Sequence, residues 1–441
     1  MTRSTAAASL PPPQVVTYAD DFTGATDSLA TAARAGLRSL LFLRVPDDAL
    51  RARAGTLDWL GIAGAARSMA PPAMAAELAP VAELFRRSGA QLLHYKTCST
   101  FDSASHTGNI AVAIAALRPA VAQLWTALVG GQPGLGRYCA FGHLFAAAGN
   151  GGEVYRLDRH PTMSRHPVTP MHESDLRLHL AAQGLGDTAL MPWTAYAQAE
   201  ADVARLLARK LEPALTQAVL FDVLQTSDLA VVGRLLRNHA AQATLLAAGP
   251  SSVLQAWAGD VPAAPTPLPA ASGPVLVLAG SLSPVTARQV EAAVSYEKFW
   301  INPVQLATDA RYLEDSATAV TARLREGRSV LACTVEPGAP EQAGTSEVAS
   351  RDIALAGGRL LARILAQAPL RRVGVAGGDT SSLGVQALDA WGLSYLATLS
   401  PGAALCRLHS DTPGLDGMEI LLKGGQMGDT GLFEQLLHGR A

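Results

Sequence analysis

The sequence predicts an α/β protein made of two α/β domains with mostly parallel sheets. Apolar strand-like runs alternate with Ala/Leu-rich helical patterns along nearly the whole chain, which is typical of βα units. The length of 441 residues exceeds what one ordinary hydrophobic core supports, so two domains are expected. A proline-rich stretch at residues 261–270 interrupts the βα pattern, which resumes at residue 274.

This break sets the predicted domain boundaries. Four prolines among small residues exclude a helix or a central strand, so residues 261–273 are predicted to be a semi-rigid linker. Residues 14–260 form the predicted first domain and residues 274–441 the second. Residues 1–13 have no apolar core of the kind a secretory signal needs, and they are predicted to be a flexible tail.

Composition and charge exclude several classes of protein. A net charge of -2 argues against a protein that binds nucleic acid by neutralising phosphates. No stretch of about 18 apolar residues is present, so no membrane span is predicted. The scattered cysteines form no C-x-x-C pair, which fits a cytoplasmic protein without disulfides or a cysteine zinc site. These cysteines are Cys98, Cys139, Cys333 and Cys406.

The first predicted strand ends at two adjacent carboxylates. An apolar run over residues 15–19 is followed by Asp20 and Asp21, and small residues then lead into a helix that is predicted to end near Gly36. In open α/β sheets, ligands bind beyond the carboxyl ends of the strands. Two acids there suit binding hydroxyls, holding a metal ion or taking a proton from an alcohol. The residues alone leave these three roles open.

Further elements of the first half follow from the same patterns. Apolar and β-branched runs predict strands, and amphipathic Ala/Leu patterns predict helices. The predicted strands cover residues 61–65, 91–95, 188–190 and 218–222, and the predicted helices cover residues 74–87, 199–210 and 227–240.

A polar loop follows the strand predicted at residues 91–95. It holds an amine at Lys96, hydroxyls at residues 97, 99 and 100, and a carboxylate at Asp102. Such a mixture suits a polyhydroxy acid, which needs donors for its carboxylate and mixed groups for its hydroxyls. The alternative is an ordinary helix N-cap region, although capping requires neither Lys96 nor Asp102. We therefore favour a substrate-binding loop that includes Ser99.

The segment over residues 155–175 is rich in Arg, His and Pro. Prolines keep it irregular until residues 174–175 cap the next helix, and Arg159 in it is a candidate for binding a carboxylate. His160 and His166 match no familiar metal site, and their Arg-rich surroundings repel cations. A contact between domains or subunits is the serious alternative.

Three strand-to-helix turns in the second half consist of very small residues. Glycines let the backbone approach a ligand, and free N–H groups at a helix start favour anions, so three such turns together indicate a polyphosphate site. Each turn alone could be purely structural. Neither a P-loop nor a Rossmann G-x-G-x-x-G follows a strand, while Lys423 could meet a phosphate as a point charge. The turns cover residues 280–286, 377–382 and 423–429, and the helices after the first two are predicted to run through Val294 and to Trp391.

These motifs together resemble the four-carbon acid sugar kinase family over nearly the whole chain. The similar motifs are Asp-Asp-Phe-Thr-Gly-Ala-Thr-Asp at residues 20–27, Ser-Thr-Phe-Asp-Ser at residues 99–103 and the three glycine turns. The resemblance implies an active site in the cleft between an acid-sugar domain and an ATP domain. It also implies that Mg²⁺ and ATP serve to phosphorylate the terminal 4-hydroxyl of threonate, erythronate or an oxo-tetronate. The loop at residues 99–109 and the segment at residues 156–171 depart from the better-known branch, which leaves the particular acid open.

The resulting hypothesis assigns roles to individual residues. One of Asp20 and Asp21 deprotonates the attacking hydroxyl. The substrate-binding candidates are Thr23, Lys96, Ser99, Asp102 and Arg159. The ATP-binding candidates are Ser281, Ser283, Gly377, Gly378, Asp379, Thr380, Lys423 and Gly424. No protein metal site is predicted, and a homodimer is expected only from base rates. The competing interpretations are a non-catalytic acid-sugar and nucleotide sensor and, less favoured, a nicotinamide-dependent dehydrogenase.

Overall fold

A computed structural model describes residues 10–149, 151–166, 168–212, 216–259, 267–280, 283–334 and 350–440, without the side chains of residues 350 and 379. The strands are β1 Val15–Ala19, β2 Ser39–Phe42, β3 Trp59–Ala63, β4 Leu92–Lys96, β5 Thr126–Val129, β6 Arg137–Ala140, β7 His143–Ala147, β8 Val154–Arg156, β9 Thr188–Met191, β10 Ala218–Phe221, β11 Leu245–Gly249, β12 Leu276–Ala279, β13 Glu297–Trp300, β14 Val330–Cys333, β15 Arg372–Ala376, β16 Gly392–Ser400, β17 Ala403–His409 and β18 Glu419–Lys423. The α-helices are α1 Phe22–Arg34, α2 Asp48–Ala54, α3 Pro71–Ser88, α4 Ile110–Leu117, α5 Leu176–Ala181, α6 Glu200–Leu211, α7 Thr226–Gln242, α8 Ser252–Ala258, α9 Pro284–Ala292, α10 Pro303–Thr308, α11 Ala310–Arg325, α12 Ser350–Gln367, α13 Gly378–Gln386 and α14 Leu432–His438.

The two halves share one sheet. Fifteen of the described strands pair in the order β13-β14-β12-β15-β18-β17-β16-β2-β3-β1-β4-β11-β5-β10-β9. Pairing is parallel within each flank, as predicted, whereas β17 and β16 run antiparallel to their neighbours. The halves meet where Gly392 and Leu393 of β16 pair with Phe42 and Leu41 of β2. A separate antiparallel sheet, β6-β7-β8, lies outside this array.

Helix α1 packs across the join between the halves. It contacts β1, β2 and β3 on one side and β16, β17, β18 and α13 on the other. Its buried Phe22 and Leu29 belong to the same apolar cluster as Cys406 and Leu422 of the second half. The core is therefore continuous across the join, and α1 lies at its centre.

The element predictions agree with the structure within a few residues, with two informative exceptions. Helix α3 begins at Pro71, earlier than predicted, because proline is well tolerated in the first helical turn. The helix predicted to reach Trp391 ends at Gln386, and Trp391 packs beside Phe42 at the join. Helix α9 begins at Pro284 with Ser283 as its N-cap, as predicted.

The domain boundaries remain a prediction. Residues 1–9 of the predicted tail and 260–266 around the predicted linker lie outside the described residues. Leu268, in the later part of the linker, is buried and pairs with Arg440. No helix in the described part of the chain is long and apolar enough to span a bilayer.

Candidate active site between the two halves

The carboxyl ends of β1 and β4 lie side by side. Ala19 pairs with Lys96, and the backbone N–H of Asp20 donates to the Lys96 carbonyl over 3.0 Å. On the other side of β4, Lys96 pairs with Gly249 at the end of β11. This parallel pairing brings the carboxylate motif and the polar loop of the first half to one edge of the sheet, where open α/β sheets bind ligands.

Asp21 is the N-cap of α1. Its Oδ1 accepts from the backbone N–H of Gly24 over 2.8 Å, which satisfies one of the orphan donors of the first helical turn. The Thr23 hydroxyl donates to Asp21 Oδ2 over 2.7 Å. The turn chemistry of the motif therefore fixes the orientation of this carboxylate.

Arg67 joins the two carboxylates and was not among the predicted site residues. Its Nη2 donates to Asp20 Oδ1 over 2.7 Å, and its Nη1 donates to Asp21 Oδ2 over 2.9 Å. Arg67 follows β3, which pairs with β1. Only the strand order brings this arginine to the aspartates, and no motif in the sequence marked it.

The two carboxylates have opposite pKa shifts. Burial raises the pKa of Asp20, and the attraction of Arg67 offsets only part of that increase. Burial also acts to raise the pKa of Asp21, but the charges of Arg67 and Lys96 and the hydrogen bonds from Thr23 and Gly24 bring it below its ordinary value. Asp21 is therefore the carboxylate more firmly held in the ionised form.

Lys96 is buried against the start of α1. Its Nζ donates to the Thr97 carbonyl over 2.7 Å. A Cβ on Gly24 would come within 2.5 Å of Asp21 Oδ1 and 2.7 Å of Lys96 Nζ. Glycine in the third position after Asp21 thus leaves the space in which the amine and the carboxylate meet.

The polar loop after β4 is bonded internally rather than capping a helix. The Thr100 hydroxyl donates to Asp102 Oδ1 over 2.6 Å, and Ser99 is half-buried. Asn109 caps α4 by accepting from the Val112 N–H, so the capping explanation for this loop is wrong. The roles of Ser99 and Asp102 in ligand binding remain predictions.

No hydrogen bond or ion pair joins Arg159 to this cluster among the described residues. Its side chain is 75% exposed, and its ion pair is with Asp158 at 3.9 Å. The neighbouring His160 stabilises a turn, because its Nδ1 accepts from the backbone N–H groups of Thr162 and Met163. No set of three potential metal-ligating side chains was found in the described residues.

Two glycine turns of the second half interlock. They follow the adjacent strands β12 and β15, and Gly280 N–H donates to the Ala376 carbonyl over 2.9 Å. A Cβ on Gly280 would come within 2.3 Å of Thr380 Oγ1, and a Cβ on Gly377 would come within 3.0 Å of the same oxygen. Gly377 also has a φ of +126°, which favours glycine, and Gly378 begins α13. Small residues are therefore required for these turns to approach each other.

The predicted ATP-binding residues Ser281, Ser283 and Asp379 have no ligand role that the structure tests. Ser283 caps α9, and its Oγ accepts from the Val285 N–H over 3.2 Å. Ser281 lies outside the described residues, as does the side chain of Asp379. Their roles remain predictions.

Lys423 is fully buried beneath the third turn, at the end of β18. Its Nζ donates to Thr286 Oγ1 over 2.8 Å, and burial lowers its pKa to about 7. Helix α9 holds the same turn, because Thr286 donates to the Gly425 carbonyl over 2.9 Å and Gln289 donates to the Met427 carbonyl. Lys423 thus lies directly behind the turn rather than on its surface.

The two sets of motifs face each other. A Cβ on Gly424 would lie 3.9 Å from Thr23 Oγ1, so the third glycine turn approaches the first turn of α1. Along the sheet, β18 and β1 point in opposite directions. The approach of Gly424 to Thr23 shows that the segments after these two strands nevertheless meet.

Two protein-family models match successive parts of the chain. Residues 15–257 match the "Sugar-binding N-terminal domain" family, and residues 276–433 match the "Nucleotide-binding C-terminal domain" family.

Individual proteins match over nearly the full length. A 3-oxo-isoapionate kinase of Paraburkholderia graminis is 40% identical, with 96% of this chain and 94% of the relative covered. A 3-oxo-tetronate kinase of Pseudomonas fluorescens is 30% identical, with 97% of each chain covered. A crystal structure of a Salmonella typhimurium protein has a TM-score of 0.77 at 25% identity and covers 96% of this chain and 98% of its own.

Proposed function

The chain belongs to the four-carbon acid sugar kinase family, and from this premise we propose that it transfers the γ-phosphoryl group of ATP to the terminal 4-hydroxyl of a sugar acid. The proposed acceptors are threonate, erythronate and 3-oxo-tetronate. Because relatives at 40% and 30% identity are named for two different 3-oxo acids, we place 3-oxo acids first and include 3-oxo-isoapionate among the candidates.

The approach of Thr23 to Gly424 is the observation that carries this proposal. Thr23 bonds to Asp21, and Gly424 opens the third glycine turn. A sugar acid beside the aspartates and a nucleotide on the glycine turns would therefore meet in the same cleft. Phosphoryl transfer depends mainly on such alignment and on charge neutralisation.

Asp21 is the better candidate for the group that orients and deprotonates the attacking hydroxyl. Its side chain is 12% exposed, against 3% for Asp20, and it bonds to the threonine that faces the nucleotide half. Arg67 and Lys96 keep it ionised and therefore able to accept a proton. Asp20 has a positioning role, because it holds Arg67 in place from the buried side.

The remaining first-half candidates are assigned to the sugar acid. We propose that Lys96 and Thr23 contact the reacting end of the sugar acid, and that Ser99 and Asp102 contact its hydroxyls. The location of Lys96 Nζ beside Asp21 supports the first assignment. Arg159 contacts Asp158 at the surface, so its assignment rests only on the sequence.

The second-half turns fit the phosphates of ATP. Gly377, Gly378 and Thr380 are proposed to contact the phosphates at the start of α13, where backbone N–H groups and the helix dipole favour anions. Mg²⁺ bound with ATP would neutralise phosphate charge. Mg²⁺ bound with phosphates usually keeps several waters. Because Arg67 pairs with both Asp20 and Asp21, we assign neither carboxylate to the ion.

The direct test is ADP release with purified protein, Mg²⁺ and ATP against a panel of sugar acids. The panel contains both threonates, both erythronates, 3-oxo-tetronate and 3-oxo-isoapionate, and mass spectrometry locates the phosphate. We expect acid-dependent ADP release and a 4-phosphorylated product. Binding of acid and nucleotide without phosphorylated product would instead support the alternative, a non-catalytic sensor.

We also propose a location and an assembly state. The unpaired cysteines support a cytoplasmic protein. A homodimer is expected from base rates and is tested by light scattering on the eluted protein.

A further inference from the structure

Arg137, the first residue of β6, carries a partly buried charge that has no carboxylate partner in the part of the chain that the structure describes. Its Nη1 donates to the Leu135 carbonyl, while its Nε is shielded from solvent and has no hydrogen-bond partner among the described residues. No ion pair of Arg137 occurs in the same set of residues, although Asp102 and Cys98 lie within electrostatic range. Removing a guanidinium from water without pairing it is costly, which points to an anion that completes the site.

Gln132, the residue paired with Arg137, has a buried acceptor atom that complements the Arg137 donor. The two residues exchange backbone hydrogen bonds of 2.8 and 3.2 Å in an antiparallel bridge. Gln132 is only 2% exposed, and its Nε2 donates to Asp27 Oδ2 over 3.3 Å. The amide nitrogen is thus bonded to a carboxylate, and the amide oxygen Oε1 is buried with no donor among the residues that the structure describes.

This pair is connected to the proposed active site on both sides. Asp27, the partner of Gln132, lies one helical turn after Thr23 on α1 and also accepts from Ser251. On the other side, both Arg67 and Arg137 lie near Cys98 in the polar loop after β4. The Arg137 guanidinium and the Gln132 amide oxygen therefore border the cleft that contains Asp20 and Asp21.

We propose that Arg137 and Gln132 form the subsite for the carboxylate end of the substrate. The Arg137 guanidinium donates to the carboxylate, and Gln132 Oε1 accepts from the hydroxyl on the adjacent carbon. The ligand class is thus a 2-hydroxycarboxylate, whose far end extends toward Asp21. This inference rests on the proposed kinase function for its orientation, but binding can be measured without turnover.

The site also explains why an acid, rather than a neutral sugar alcohol, would be selected. An alditol of the same length would leave the Arg137 charge unpaired, whereas a carboxylate pairs with it through charge-assisted hydrogen bonds. Specificity of this kind arises because the poorer ligand leaves a buried polar group without a partner.

The test combines calorimetric binding with steady-state kinetics for Arg137→Gln, Arg137→Lys and Gln132→Met. The probes are D- and L-threonate, D- and L-erythronate, 3-oxo-tetronate and 3-oxo-isoapionate, with threitol and erythritol as neutral comparisons. Arg311→Gln is the matched control, because that side chain is 90% exposed on α11. Melting temperatures with and without ATP report on folding and on the nucleotide half.

We expect Arg137→Gln to weaken binding of the acid about ten- to a hundred-fold, as loss of a charged hydrogen bond does, with KM for ATP unchanged. Arg137→Lys should recover part of that loss, and Gln132→Met should weaken acid binding while leaving the preference for acid over alditol. The melting temperature of unliganded Arg137→Gln should not fall, because the substitution removes an unpaired charge. A merely structural arginine would lower the melting temperature and leave acid selectivity intact.

The outcomes separate this subsite from the kinase proposal. Unchanged acid affinity in Arg137→Gln overturns the subsite even if the wild-type protein is an active kinase. Wild-type protein that binds none of the acids overturns it as well. Acid binding that depends on Arg137 but produces no phosphorylated product supports the subsite and contradicts the kinase function.

Discussion

Thr23 lies against Gly424 across the boundary between the two halves, with 3.9 Å between the threonine hydroxyl oxygen and the position of a glycine Cβ. One residue belongs to the carboxylate motif and the other to a glycine turn. Their approach joins two sites that are 401 positions apart in the chain. The following predictions test what each side of this contact does.

Asp21→Asn should lower turnover about 10²–10⁴-fold, since it removes the proposed proton acceptor. Asparagine caps helices as well as aspartate does, so α1 and the affinity for ATP should be preserved. The matched control is Asp47→Asn, which changes the exposed N-cap of α2 in the same way. Equal turnover in the two variants would refute the assignment of Asp21.

Gly424→Ala should raise KM for ATP about ten-fold. The added methyl group would crowd the bound nucleotide, and overpacking of this kind costs about 1–3 kcal/mol of binding free energy. The added methyl would make ordinary contacts with Met427 and Thr23, so the melting temperature should stay close to that of the wild type. Gly431→Ala is the control, because nothing lies within 4 Å of its Cβ position. A kinetic effect of equal size in the control would contradict the proposed place of the nucleotide.

Arg67→Gln should reduce the free energy of unfolding at pH 7 by about 3–5 kcal/mol, because two buried carboxylates lose their partner. The pKa values of Asp20 and Asp21 should rise in the variant, so its folded state takes up protons more readily. The difference from wild type should therefore shrink as the pH falls from 7 toward 4. Urea unfolding at several pH values measures this difference in the free energy of unfolding.

The control for this variant is Arg38→Gln. Arg38 is 59% exposed and pairs with Asp58 at the surface. Its substitution should therefore lower the free energy of unfolding by less than about 1 kcal/mol. A pH-independent loss in Arg67→Gln would show that Arg67 stabilises the fold without acting through the two aspartates.

Lys423→Met should change how stability depends on pH. Burial lowers the pKa of Lys423 from 10.5 to about 7, so between these values the unfolded chain binds a proton that the folded chain does not. Wild-type stability should therefore rise with pH across this window relative to the variant. Urea unfolding at pH 7, 8, 9 and 10 checks this, with exposed Lys298→Met as the control. Parallel curves for wild type and Lys423→Met would contradict it.

The sequence predicted much of the site, because its key residues occur in local patterns. Asp20 and Asp21 directly follow β1, Lys96 ends β4, and Gly377 and Lys423 mark the ends of β15 and β18. Turn and capping chemistry acts between residues a few positions apart, so a short segment is enough to predict it. The roles of these residues in ligand binding remain predictions.

Arg67, Gln132 and Arg137 were not predicted, because their importance depends on which strands are neighbours. Arg67 reaches the aspartates only because β3 pairs with β1, and Gln132 reaches Asp27 because the loop after β5 contacts α1. Arg159 was predicted from a basic segment, and its role in binding a carboxylate remains a prediction, since its side chain is mostly exposed and pairs with Asp158.

The amino-acid sequence by itself determined the βα pattern, the carboxylate motif, the glycine turns and the membership in a kinase family that these motifs carry. Only the tertiary structure decided that β16 joins the halves into one sheet and that Thr23 meets Gly424. The reason is physical: strand pairing uses backbone hydrogen bonds that every residue except proline can make, so the side-chain pattern does not identify a strand's partner.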